Sequence, residues 1–171
     1  MTRQATSVDA ATVADLLDAF NREFAAPTPG PSVLADRLGR LLAGPHTIAI
    51  LAGRPAVGVA VLTFRPNVWY DGPVALLDEL YVVPQQRNRG IGTVLLRVAE
   101  ETVRQRGGEL LEINVDGQDT DARRFYERHG YTHTQPGQSQ PALYYCREVN
   151  ERREALHHLT FMHPFRTVIR A

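Results

Sequence analysis

The sequence predicts an α/β fold, a sandwich of helices packed on a mixed sheet, and three observations carry that expectation. Apolar residues recur at helical spacing in two stretches near the start, β-rich runs follow, and strand and helix patterns then alternate. A length of 171 residues suits one domain with a single core.

A short strand is expected near Arg3 to Thr6. Ser7 or Asp9 can cap a helix to about Ala25, with Val13, Leu16, Leu17, Phe20 and Phe24 on its apolar face. Pro27, Pro29, Gly30 and Pro31 break it, and Ser32 opens a second helix through Leu34, Leu38, Leu41 and Leu42. His46 to Leu51 and Val57 to Phe64 read as strands joined by the turn Ala52-Gly53-Arg54-Pro55. Val74 to Val83 is a third long strand. Gly90 to Arg106 has the pattern of an amphipathic helix, carrying Ile91, Val94, Leu95, Val98 and Val103 on one face. Leu110 to Val115 is expected as a strand and Asp119 to His129 as a short helix. Two further strands are expected, one after Gly130-Tyr131 and one at Ala142 to Glu148.

Composition excludes several functions. All 19 basic residues are Arg, so neither a phosphate loop that needs Lys nor a Schiff-base lysine can occur. A formal net charge of zero argues against a nucleic-acid partner, which normally demands a basic patch. The single Cys146 cannot form an internal disulfide, which favours a reducing compartment, and the cytoplasm is the expected location. The first residues lack the apolar stretch of a signal peptide, and no apolar run is long enough to span a membrane. His157, His158 and His163 lack metal-ligand spacing, so no metal site is expected. The zero charge conceals blocks of opposite sign. Residues 84–106 carry five Arg against two Glu, and residues 107–121 carry five acids and no base.

The most informative stretch runs from Val82 to Gly92. A strand ends, a polar loop follows, and Gly90 and Gly92 open a long helix whose free N–H groups favour phosphate. A dinucleotide fingerprint fails because position 95 is Leu95. Leu80, Val82 and Pro84, followed by Arg87, Gly90 and Gly92, match the signature of the GNAT superfamily of acetyl-CoA-dependent N-acetyltransferases. Asp119, Ala122, Phe125, Tyr126, Gly130 and Tyr131 match its second signature, in the correct order and at the correct separation. The chain therefore resembles that superfamily over about residues 4 to 149.

The resemblance implies a three-layer sandwich with about four helices and a mixed sheet of six to seven strands. A splayed parallel pair in that sheet would hold acetyl-CoA. It implies pyrophosphate on the loop from Arg87 through Asn88, Arg89, Gly90 and Ile91 to Gly92, and pantetheine against Leu80, Tyr81 and Val82. Arg123 or Arg124 would approach the 3′-phosphate. Asp119 stands where the family's usual Asn contacts the pantetheine, and a carboxylate can only accept hydrogen bonds, so capping the following helix is its competing role. Tyr126 would protonate the departing thiolate, since a phenol with a reference pKa of about 10 is a donor at neutral pH. The alternative for Tyr126 is a core aromatic, the role expected of Phe125.

Asp78-Glu79-Leu80-Tyr81-Val82 resembles the acidic-aromatic segment of polyamine acetyltransferases in the superfamily. Glu79 is then either the base or a carboxylate that binds substrate, and strand alternation would send Asp78 and Glu79 to opposite faces. Asp78, Trp69 and Tyr70 are the candidate acceptor-binding residues, with packing of a hairpin as the alternative for Trp69 and Tyr70. Cys146 is expected to be structural rather than nucleophilic. The implied activity is acetyl transfer to a primary amine of a small cationic metabolite, such as a polyamine, an aminoglycoside or an amino-acid derivative, by direct attack in a ternary complex. The alternatives are a CoA-binding regulatory module without turnover and a protein N-terminal acetyltransferase. Residues 150–171 form an apolar extension beyond residues 1–149, expected to dock on the domain or on a second subunit, with a homodimer as the expected assembly.

Overall fold

A computed structural model describes residues 1–135 and 137–147. The elements, in chain order, are β1 (Thr2–Gln4), α1 (Ala10–Glu23), α2 (Pro31–Ala43), β2 (Thr47–Ala52) and β3 (Gly58–Arg65). β4 (Val74–Val82), α3 (Ile91–Gln105), β5 (Leu110–Ile113) and α4 (Thr120–Arg128) follow. The helices fall where the apolar spacing put them. A 3₁₀ turn at Ser7–Asp9 precedes α1, and Asp9 accepts hydrogen bonds from the Thr6 amide and from both ends of the Arg3 guanidinium.

The sheet has the order β1-β2-β3-β4-β5. The first four strands are antiparallel neighbours, and β5 joins β4 in parallel because α3 carries the chain back across the sheet. The helices divide between the two faces. On one, Leu95, Leu96, Ala99 and Val103 of α3 and Ala122, Phe125 and Tyr126 of α4 pack on Ile48, Leu62, Leu77, Leu80 and Val82. On the other, Val13, Leu16 and Phe20 of α1 and Leu38 of α2 cover Leu51, Val59, Val61 and Tyr81. This is the three-layer α/β sandwich, with four α-helices among the described residues.

Five strands form among the described residues, where six to seven were expected. Residues 131–133 and 142–147 join no ladder, and the isolated bridge between Thr134 and Pro141 is the pairing present there. Local bonds compete in the first segment, where the Thr132 hydroxyl accepts from the Thr134 amide. In the second, Leu143, Tyr144 and Tyr145 are exposed, so their β-rich character has no described surface to pack on. Glu148 and the extension at 150–171, with His157, His158 and His163, lie outside the described residues.

Candidate active site

Two breaks in regularity on β4 build the site. The first is a bulge. Val61 of β3 faces Glu79 while its neighbour Leu62 faces Leu77, so Asp78 is the extra residue. The core records the consequence, because Leu77 and Leu80, three apart, lie on the same face. Both residues between them therefore turn to the opposite face, the one covered by α1 and α2. Asp78 and Glu79 thus lie side by side rather than on opposite faces as alternation predicts. Val61, opposite Glu79, belongs to that same α1/α2 core.

The second break is the loss of a neighbour. β5 pairs with β4 from Val74 to Leu77 and goes no further, while β4 continues five residues to Val82. The amide of Val83 donates to Val57, so alternation along the antiparallel ladder also turns the main chain of Tyr81 towards β3. The main-chain groups of Leu80 and Val82 then face the gap that β5 leaves. Tyr81 differs from the expectation. Its main chain serves β3, and its buried ring packs against Phe20 with centroids 5.2 Å apart.

The loop after β4 closes one end of this gap. Asn88 (φ 59°) and Gly90 (φ 76°) both adopt left-handed backbone, which turns successive N–H groups towards one side. Gly90 is the N-cap of α3 and supplies that conformation without steric cost. No side chain caps α3, so its first N–H groups remain open to an anion. Arg89 is exposed beside them. Arg87 is not free in the same way. Its Nη1 and Nη2 each lie 2.7 Å from an oxygen of Glu23, and its Nε donates to the Val82 carbonyl at 2.9 Å. The amides of the loop fit a polyphosphate, whereas the Arg87 guanidinium is directed inward.

The carboxyls are the site's electrostatic feature. Asp78 Oδ2 and Glu79 Oε2 are both enclosed and have no hydrogen-bond partner among the described residues. Burial, reinforced by the negative charge of Asp78, pushes Glu79 up to about 8. Burial also raises Asp78, to about 6, against a hydrogen bond from Thr63 that lowers it. Both groups are poised to gain from a cation or a proton.

Tyr126 lies on the other face of β4, within the core that holds Leu80 and Val82. Its ring meets Phe125 and Tyr131 edge-on, with centroids at 5.2 and 5.7 Å, and its hydroxyl is enclosed. α4 carries it there. Asp119 caps that helix, its Oδ1 accepting from the Ala122 amide at 2.9 Å, so the capping role is the one it fills. Arg123 reaches back to the Gly117 carbonyl at 3.3 Å and lies 3.8 Å from Glu127. Phe125 is core, as expected. Trp69 is 85% exposed and Tyr70 is 38% exposed, both in the loop before β4, so they pack no hairpin. Cys146 is exposed rather than built into a strand.

Glu23 has no place in the sequence expectations, and the bulge, which the family resemblance implies on this strand, had no position there until the register with β3 set it at Asp78. Glu23 ends α1 with no periodic or motif signal, 64 residues from the arginine it holds. The bulge could have been suspected from Leu77, Leu80 and Val82, whose apolar pattern breaks a strict period of two.

A strand that loses its parallel neighbour beside an uncapped helix start is the geometry that the two signatures imply. The sequence profile of the Acetyltransferase (GNAT) family matches residues 13–131. The chain belongs to the GNAT acetyltransferase family. That family uses acetyl-CoA as its co-substrate, and the open edge of β4 and the loop amides fit it. The aminoalkylphosphonate N-acetyltransferase of Salmonella typhimurium (strain LT2) is 34% identical over 113 residues, 66% of each chain. The aminoglycoside N(6′)-acetyltransferase type 1 of Klebsiella aerogenes is 39% identical over 80 residues, 44% of this chain and 53% of that one. The chain thus spans about half to two thirds of the length of these relatives. A crystal structure from Arthrobacter sp. FB24, assigned as an acetyltransferase, has 60% identity and a TM-score of 0.83, covering 87% of this chain and 96% of its own.

Proposed function

We propose that this GNAT-family chain transfers acetyl from acetyl-CoA to the primary amine of a small cationic metabolite. The observation that carries the acceptor class is the pair of enclosed carboxyl oxygens on Asp78 and Glu79, which no residue described satisfies. A buried carboxyl pair is costly unless something positive meets it, and an ammonium group does so. The ammonium meets Glu79 as a carboxylate, and the basicity that burial gives this group lets it take the amine's proton, leaving the neutral amine to attack.

Acetyl-CoA supplies the activated acyl group. The N–H of Val82, aimed into the gap, is placed to donate to the carbonyl oxygen as charge develops there. Tyr126 holds a proton on the other face of β4, where the thiol leaves. Base and acid thus flank one strand edge from opposite sides. Asp78 fixes the position of the cation, and the loop from Asn88 to Gly92 holds the phosphates, with Arg89 adding charge.

Thiol release from acetyl-CoA across a panel of amines tests the proposal. The panel should include a polyamine, an aminoglycoside, an amino-acid amide, an aminoalkylphosphonate and an N-terminal peptide. The expected result is turnover with the small cationic amines. Turnover confined to the peptide, or CoA binding without release with any amine, would overturn it.

A further inference from the structure

The Glu23–Arg87 pair joins the acceptor side of the molecule to the cofactor loop. Glu23 is the last residue of α1, and its side chain is 26% exposed against 11% for Arg87. The guanidinium meets both carboxylate oxygens in a fork, the most directional form of ion pair available to Arg. Its remaining Nε–H goes to the Val82 carbonyl, one of the main-chain groups that face the gap beside β4. The Arg87 guanidinium also lies over the Tyr81 ring at 5.7 Å, and the Tyr81 hydroxyl reaches Glu23 at 3.4 Å. A carboxylate at a helix C-terminus works against the helix dipole, so α1 itself gives no reason for Glu23. The arginine does.

We propose that Glu23 is a positioning residue for acetyl-CoA. Acting through Arg87, it holds the phosphate loop in register with the open edge of β4. Arg87 is then an anchor whose side chain points away from the phosphates, and Arg89 is the loop's free guanidinium. The inference rests on the acetyl-CoA reading given above.

Titrating CoA into wild type, Glu23→Gln, Arg87→Gln and the double variant tests it. Each single variant should bind CoA about 10-fold more weakly, a typical size for coupling through one contact. The double variant should be no worse than the weaker single, because Glu23 acts through Arg87. At saturating acetyl-CoA, kcat should stay near the wild-type value while the KM for acetyl-CoA rises. Glu23→Asp keeps the charge on a shorter stem and should fall between wild type and Glu23→Gln, giving a milder variant if the others fold poorly. In the unliganded chain, amide exchange at residues 88–92 should quicken in Glu23→Gln.

Unchanged CoA affinity in a folded Glu23→Gln would overturn the inference. So would losses that multiply in the double variant, or a fall in kcat with KM for acetyl-CoA unchanged. Wild type failing to bind CoA would overturn the functional reading and this inference with it. Wild-type binding with an indifferent Glu23→Gln would overturn the inference alone.

Discussion

The two halves of β4 share one strand and differ in nearly everything else. From Val74 to Leu77 it has a neighbour on each side, with Val74, Ala75 and Leu77 buried. From Leu80 to Val82 it keeps β3 and loses β5. Asp78 and Glu79 stand at the junction, where the bulge lets the second half present the same apolar face while two carboxyls share the other. The first half builds the sheet. The second half, with the same kind of residues, turns the amides of Leu80 and Val82 towards the gap that β5 leaves. The open edge thus arises from a missing neighbour and one extra residue rather than from an unusual composition.

The largest effect should come from Tyr126→Phe. Removing the proton donor should lower kcat by about 100-fold or more while CoA affinity is kept. Stopped-time thiol assays beside a CoA titration read both. Equal turnover would remove Tyr126 from the chemistry and return it to the core.

Deleting Asp78 attacks the junction directly. Leu77, Glu79 and Leu80 would then alternate regularly, so the core faces are preserved while the strand loses its bend. The fold should survive by circular dichroism, with CoA affinity and turnover both strongly reduced. Wild-type CoA binding in the deletion would show that the bulge does not shape the gap.

Glu79→Gln should lower kcat/KM by about 100-fold, the range of a lost general base. Wild-type kcat/KM should rise with pH up to about 8, since the carboxylate of the free chain is the working form, and the variant should lose that limb. Stability moves oppositely. Because burial raises the Glu79 pKa, the folded chain holds a proton that the unfolded chain releases from about 4.5 upward, so stability falls as pH rises from there to about 8. Glu79→Gln should therefore melt higher than wild type at pH 9, and by less at pH 5. A variant destabilised at pH 9 would contradict the burial of that carboxyl.

The smallest effect belongs to Trp69→Ala. An 85% exposed ring contributes little to folding, so melting should change by less than about 0.5 kcal/mol. Any kinetic change should fall on the acceptor KM and leave that for acetyl-CoA alone.

Local patterns made much of this legible in the sequence. Val13, Leu16 and Phe20 are buried as their spacing requires, and Asp119 caps a helix because the chemistry of its side chain suits that position. The loop from Arg87 to Gly92 was legible through its glycines. What was hidden depends on tertiary geometry. The break in period at Leu77, Leu80 and Val82 hints at a bulge, but which residue is extra to the ladder is a property of register with β3. Glu23 and Arg87 are brought together by the packing of α1 beside the end of β4, which no local pattern records. The β-rich run at 142–147 joins no ladder among the described residues, because strand propensity needs a partner surface to become a strand.

Amide hydrogen exchange along β4, with and without acetyl-CoA, distinguishes its open half from its paired half. The amides of Leu80 and Val82 should exchange faster than that of Tyr81 in the free chain and become protected when acetyl-CoA binds. Tyr81, already bonded to β3, should remain slow in both states. Leu80 and Val82 amides that are unaffected by acetyl-CoA would contradict the assignment of the open half of β4 as the site of transfer.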